Sequence, residues 1–507
     1  MANPTNRQDN AVLLHHPEAV DLGRENLMGR HAAGAGFLDG FARHAGTSQF
    51  YCHVLSPAHG EDFRTRVQSS AGAAAQTTAM MLDEIARLPD TARTLFVPDP
   101  SIGVHAWRRR SNGGHEYSIC GINHTVSSDG AMDGIGALLT SPVQPWDAVI
   151  CTSRAAKSVI VRLLDNYADF LNQRGGGAFK VQAKLPVIPL GVDCDRFVGE
   201  DDRQRIRQPL RRGLGIGEDD IAVLYFGRLS FYAKAHPLPM YLALEMAAQR
   251  TGKRVHLLQS GRFPNEGIER EFRDGARQFA PSVNPIFLDG RDQTVSRDVW
   301  YAADIFTSLS DNIQESFGLT PIEAMAAGLP CVVTDWNGYR DTVRDGEDGF
   351  CIPTWLPLPG SGMDLILEND ALVGDVERDR NYNHYCGIIS QCTTVDVSRT
   401  AEVFTALIEN PDLRQRMGQS GRQRARDTFD WRIVVGAYQD LWRELAHIRS
   451  RTGEVAGQSA GRPAHPLRDD PFASFAVYPS NTIDGETTIR LAVGPGQSAD
   501  QANQRPD

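Results

Sequence analysis

Asp304-Ile-Phe-Thr-Ser308, then Asp311-Asn-Ile-Gln-Glu315-Ser-Phe-Gly-Leu-Thr320-Pro-Ile-Glu323-Ala-Met-Ala-Ala-Gly328-Leu-Pro330, then Cys331-Val-Val-Thr334, is the stretch that decides the fold. A short apolar run predicts a buried strand. A polar loop follows, and then an apolar, Ala-rich segment predicts a helix over Thr320–Ala327. Thr320 fits an N-cap, Pro321 the first helical position and Glu323 the third, which together form a capping box. Gly328 and Pro330 end the helix. A second apolar run then returns, giving one strand–helix–strand unit of a parallel sheet.

The same rhythm extends in both directions. Upstream, Ile221–Phe226, Arg254–Leu258 and Pro285–Leu288 read as strands, with helices over Leu238–Gln249 and Gly267–Phe279 between them. Nearer the N-terminus, Val12–His15, Phe50–Leu55, Thr94–Val97, Tyr117–Gly121, Asp147–Cys151 and Pro186–Leu190 read as strands. Helices are expected over Phe37–His44, Thr77–Leu88 and Ala155–Leu171. Asp195–Asp220, rich in Arg, Asp, Glu and Gln, has no buried strand and reads as the crossover between two lobes. The expected fold class is α/β, with two doubly wound parallel-sheet lobes in tandem. The boundaries are 1–205 for the first lobe, 206–430 for the second with an insertion at about 357–398, 431–449 for a C-terminal helix, and 450–507 for a low-complexity tail. In that tail Phe472–Tyr478 and Thr487–Val493 carry enough apolar residues to dock as strands.

Composition excludes several classes. At 507 residues the chain is too long for a single core. Its 52 Lys and Arg against 63 Asp and Glu leave a net charge of −11, which argues against a general nucleic-acid binder. The N-terminus shows no signal peptide, and no apolar run approaches the ~20 residues of a spanning helix. The expected location is the cytoplasm, with contact at the inner face of a membrane left open. The 8 cysteines form no Cys-x-x-Cys and read as reduced, packed thiols. No histidine cluster has zinc spacing.

Residues that follow strands carry the chemistry, because ligands of open parallel sheets bind beyond the strand carboxyl ends. Gly29-Arg-His-Ala-Ala-Gly34-Ala-Gly36 reads as a glycine loop before the Phe37 helix, suited to phosphate; a plain strand–helix turn explains it equally. Gly227-Arg228-Leu229 and Lys234 place two cations after one strand, which favours a diphosphate; a solvated pair is the commoner fate of such residues. Glu315, beside Ser316-Phe317-Gly318, is a loop carboxylate able to accept hydrogen bonds from sugar hydroxyls. Glu323 has a competing duty as helix cap. Asp193-Cys-Asp195 matches a metal-binding Asp-x-Asp, but such pairs recur by chance. Arg108-Arg-Arg110 reads as a solvated loop or a site for an anionic acceptor.

Taken together, these residues resemble the retaining glycosyltransferases of family 4 (glycosyl transferases group 1), which have the GT-B fold. The resemblance rests on Glu315 and Glu323 in their motif, Thr334–Val343, Asp345–Gly349, Gly227-Arg-Leu with Lys234, Ile150–Ser153 and Pro189–Asp193. It covers about residues 11–350 and the Trp431–Leu445 helix, which in such proteins crosses back to the first lobe. It implies that Arg228 and Lys234 hold the donor diphosphate. Glu315 would bind donor-sugar hydroxyls with the amides of Phe317, Gly318 and Leu319, and Glu323 would bind ribose hydroxyls. His124, in Gly121-Ile-Asn-His124, would reach the transferred sugar. Gly34 and Gly36 would approach the phosphate or the acceptor, and Gly227 would bind the donor. The implied activity is transfer from a nucleotide-diphosphate sugar, UDP favoured over GDP, to a glycan, lipid-linked or small-molecule acceptor, with no cofactor and no metal. An epimerase or hydrolase of the same fold, or a non-catalytic sugar-nucleotide-binding subunit, is the alternative.

Overall fold

The computed structural model describes residues 10–23, 29–81, 88–111, 113–363, 382–453, 463 and 465–488. The chain divides into Met1–Val455 and Ala456–Asp507. The first unit holds two parallel sheets of six strands. One comprises β1 (Val12–Leu14), β2 (Gln49–His53), β3 (Gln76–Met80), β4 (Thr94–Val97), β5 (Ser118–Ile122) and β6 (Ala148–Ile150). Its spatial order is β3-β2-β1-β4-β5-β6. The other comprises β7 (Ile221–Phe226), β8 (Val255–Gly261), β9 (Val283–Asp289), β10 (Ile305–Ser308), β11 (Cys331–Thr334) and β12 (Gly349–Ile352), in the order β12-β11-β10-β7-β8-β9. Central strands are buried on both faces, which is why they read as unbroken apolar runs. These are the two α/β lobes of a GT-B fold. Strand order reverses between β1 and β4 and between β7 and β10, so each lobe has a crevice at those carboxyl ends.

Several expectations need correction. The first helix spans Gly29–His44, so the expected glycine loop is helical. A Cβ on Gly40 would lie 2.5 Å from the Trp431 ring, and one on Gly36 would lie 3.3 Å from it. Those glycines admit the C-terminal helix Trp431–Arg451, whose Tyr438 and Trp442 pack tilted or edge-on against Phe37, Phe41 and Phe96 of the first lobe. Residues 76–80 form the edge strand β3 where a helix was expected over Thr77–Leu88; residues 82–87 lie outside the described set. Pro186–Leu190 makes only an isolated bridge to the end of β6, between Cys151 and Val187.

The crossover holds a helix, Glu200–Gly213, whose Arg207 and Arg211 grip Asp304 at 2.5 and 2.9 Å, just before β10. Arg109 is not part of a solvated basic cluster. It lies buried at the end of helix Ile102–Arg110 and binds both oxygens of the buried Asp147, at 2.6 and 2.7 Å. In the second unit, residues 471–474 form a helical turn, and Phe472, Val477 and Tyr478 are exposed rather than docked as a strand. Residues 489–493 of the other expected strand lie outside the described set. No helix among the described residues is long and apolar enough to cross a membrane.

Candidate functional site

β7 ends at Phe226 and passes the chain to Gly227-Arg228; the adjacent β10 ends at Ser308 and passes it to the loop carrying Glu315. Both loops therefore open at the switch point of the second sheet. There the Lys234 ammonium donates to Glu315 Oε2, and each side chain is 14% exposed. Arg228 is exposed, with one guanidinium nitrogen donating to the Ala233 carbonyl at 3.0 Å. The Cβ position of Gly227 is 3.3 Å from Lys234 Cε.

Three consecutive residues that sequence reasoning left without a role hold this cationic loop. Ser310 Oγ donates to the Lys234 carbonyl at 3.0 Å. Asp311 Oδ2 accepts from the His236 amide at 3.1 Å. Asn312 Nδ2 donates to the Tyr232 carbonyl at 2.7 Å. Burial pushes the Asp311 carboxyl up to about 7, with the His236 amide opposing. In sequence Ser-Asp-Asn looks only like turn composition.

The helix that follows spans Leu319–Ala326, and its N-cap is Gly318, not Thr320. Gly318 sits at φ 92°, and a Cβ there would lie 2.1 Å from the Tyr339 ring. Only glycine fits this close approach, and it moves the helix start forward. The capping box therefore does not form: Pro321 and Glu323 lie further inside the helix. The amides of the first turn have no intrahelical acceptor and sit at the positive end of the helix dipole, a setting that suits an anion. Phe317 is buried, while Leu319 is only partly so.

Glu323, released from capping, accepts from Arg196 Nη2 at 3.1 Å. Burial raises its pKa, with Arg196 and Lys234 opposing. Glu323→Ala should therefore move the melting temperature little, since its one ion pair has a half-exposed arginine, worth about 0–1 kcal/mol. Nucleotide affinity should fall roughly 10- to 150-fold if a charged hydrogen bond to the ribose is lost. Calorimetric melting and a nucleotide titration check both, and unchanged affinity would refute the ribose assignment.

The first lobe meets this loop directly. Ser316 Oγ donates to the His124 carbonyl at 2.8 Å, and Ser153 Oγ donates to the Ser316 carbonyl at 2.7 Å. Arg154, at the start of the next helix, binds Asp341 through its amide and Nε, both at 2.6 Å. His124 also lines a first-lobe cavity of about 280 Å³ at the β1/β4 switch point, with Arg30, His31, Gly34 and Asp99. Burial pushes the His124 imidazole down to about 4, with Arg30 adding and Asp99 opposing, so it is neutral at pH 7. Gly34 thus faces a cavity; Gly36 faces Trp431 and is not among that cavity's lining residues. The Asp-x-Asp carboxylates face arginines: Asp193 pairs with Arg43 at 2.5 Å and Asp195 with Arg432 at 3.0 Å.

Residues 206–355 match the family model described as Glycosyl transferases group 1. The D-inositol 3-phosphate glycosyltransferase of Geodermatophilus obscurus is 32% identical over 197 residues, 38% of this chain and 42% of that protein. The phosphatidyl-myo-inositol mannosyltransferase of Mycobacterium tuberculosis is 30% identical over 190 residues, 36% of this chain and 45% of that protein. The chain thus spans less than half the length of these curated relatives. Among solved structures, Anabaena HepE in complex with UDP superposes with a TM-score of 0.51 at 14% identity, covering 87% of this chain and 100% of that one. A glycosyltransferase from Rickettsia africae does so at 0.51 and 13%, covering 86% and 98%. At these identities the structural likeness speaks for the fold.

Proposed function

We propose that this chain, whose residues 206–355 match the group 1 glycosyltransferase model, transfers a sugar with retention from a nucleotide-diphosphate donor, UDP-linked in preference to GDP-linked. The acceptor is a glycan, a lipid-linked sugar or a small molecule. The observation that carries the reading is the Lys234–Glu315 pair at the joined ends of β7 and β10, four residues ahead of a helix N-terminus. The solved complex of the Anabaena neighbour with UDP agrees with the choice of donor.

The chemistry follows from the charges. As the bond from the anomeric carbon to the donor phosphate oxygen breaks, negative charge builds on the leaving diphosphate. Lys234, Arg228 and the first-turn amides stabilise that charge more in the transition state than in the ground state. Glu315 holds sugar hydroxyls. The acceptor oxygen attacks the anomeric carbon from the departing side, and its proton passes to the diphosphate oxygen. Neutral His124 offers one donor and one acceptor from across the cleft. Ser316, bound to both His124 and Ser153, lets the lobes close over the site and limit hydrolysis.

The first test is a melting-temperature screen of UDP and GDP. A ligand at ~100 times its dissociation constant adds about 2.7 kcal/mol of stability. No response to any nucleoside diphosphate would overturn the donor assignment. Transfer should survive EDTA, because protein cations serve the diphosphate; loss with EDTA and rescue by magnesium or manganese would contradict this. Proton NMR of the first-formed linkage should show the donor's own anomeric configuration, and inversion would exclude the mechanism above.

A second reading, epimerisation or hydrolysis of the donor, draws on the carboxylates of Asp99 and Glu18, which line the first-lobe cavity. Rapid consumption of donor without acceptor would favour it.

A further inference from the structure

A second cavity, of about 530 Å³, lies beside the site and is used by none of the chemistry above. One wall is the first-lobe helix Arg154–Gly175, through Val159 and Leu163; the other is the second-lobe insertion, through Leu356, Leu358 and Ile389, with Trp336 at its base. No charged side chain lines it among the described residues. Val159, Leu356 and Leu358 are 40%, 46% and 82% exposed, a large apolar surface to leave in water. The volume falls in the range of small-molecule pockets.

Chain neighbours tie the cavity to the site. Ile313 lines it and stands two residues before Glu315; Ser127 lines it and stands three residues after His124. The indole of Trp336 donates to the Asn312 carbonyl at 3.0 Å, and Asn312 in turn holds the Lys234 loop. A molecule seated here would touch the segments that carry both residues expected at the transferred sugar.

We infer that this cavity binds the uncharged, apolar aglycone of the acceptor, an alkyl chain or an aromatic ring, while the acceptor hydroxyl lies in the cleft. This rests on the sugar-transfer reading and narrows its acceptor to amphiphilic molecules. Among the described residues the lining gives no ion-pair partner for a charged group, so an anionic head is expected to remain in the cleft.

The test is a calorimetric titration of the intact chain with methyl, phenyl and n-octyl glucosides, the last below its micelle concentration. Octyl or phenyl glucoside should bind at least tenfold tighter than methyl, since each buried methylene contributes about a fourfold gain. Octyl ahead of phenyl identifies a lipid-like chain; phenyl ahead of octyl identifies an aryl group. Val159→Glu, on an exposed helix position, and Leu356→Glu, in a loop, should each weaken this binding at least tenfold and leave the UDP melting shift unchanged. Equal binding of all three glucosides, or octyl binding untouched by both variants, overturns the inference. Should no nucleotide shift the melting temperature while selective octyl binding persists, the sugar-transfer reading falls and the apolar site stands.

Discussion

Lys234→Ala is expected to lower turnover at saturating donor by about 10²–10³-fold, the usual loss when one preorganised stabiliser of a developing oxyanion is removed. The ammonium lies at the switch point on a loop whose backbone is held by Ser310 at the Lys234 carbonyl, by Asp311 at the His236 amide and by Asn312 at the Tyr232 carbonyl. That scaffold does not depend on the lysine side chain, so the loop should keep its course in the variant. What the variant does leave behind is the Glu315 carboxylate, deprived of its cation in a site where both groups are 14% exposed. A melting-temperature drop is therefore part of the expected result and is not by itself informative. The deciding measurements are turnover at saturating donor and the pair Lys234→Ala with Lys234→Ala/Glu315→Gln. If Lys234 only neutralises Glu315, the double variant should recover stability and turn over as fast as Glu315→Gln alone. If it stabilises the leaving diphosphate, stability recovers and turnover does not. Full turnover in the single variant would remove Lys234 from the proposed mechanism.

The sequence discloses the centres of the two sheets far better than their edges, for a physical reason. Ile221–Phe226 and Cys331–Val333 are buried on both faces and can be nothing but apolar runs. Gln76–Met80 is the outermost strand of its sheet, and only Met80 on it is buried, so its polar composition conceals a strand. Gly349–Ile352, also outermost, is equally easy to pass over as a turn. The glycines between 29 and 40 suggest a loop because glycine disfavours helix interiors by about 1 kcal/mol each. At Gly36 and Gly40 the cost is offset by a partner some four hundred residues away: the Trp431 ring lies where a side chain would begin. No local pattern reveals that contact.

The candidate site divides in the same way. Lys234 and Glu315 are legible as charged residues after strands, and the structure brings them into contact. The loop residues that position Lys234, and the Ser316 contact with the first lobe, act through backbone carbonyls and an amide and leave no pattern in a single sequence. Glu323 shows the opposite failure. Its spacing from Thr320 satisfies the capping box, but Gly318 takes the cap because Tyr339 crowds that turn, leaving the carboxylate to Arg196.

Glu315→Gln is the companion expectation: turnover should fall roughly 10- to 150-fold if a charged hydrogen bond worth about 1.5–3 kcal/mol is felt fully in the transition state. Sequence alone suggests a loop residue whose neutralisation leaves folding nearly intact. The pair with Lys234 modifies that, because glutamine removes the charge that balances a partly buried ammonium. Glutamine still accepts a hydrogen bond from Lys234, so the stability loss should stay below the about 1–3 kcal/mol of an abandoned buried partner. The two contributions separate by ligand. Free UDP carries no sugar, so if Glu315 binds sugar hydroxyls, UDP affinity in the variant should be nearly normal while turnover collapses. If Glu315 serves only to orient Lys234, UDP affinity and turnover should fall together, because the diphosphate site itself is disturbed. Glu315→Asp sharpens the comparison: it keeps the charge but shortens the reach by one methylene. It should restore stability toward the parent and leave turnover low, since a hydroxyl held from a carboxylate drawn back along the chain is no longer in place. Unchanged turnover in Glu315→Gln at both low and saturating donor would show that the sugar lies elsewhere.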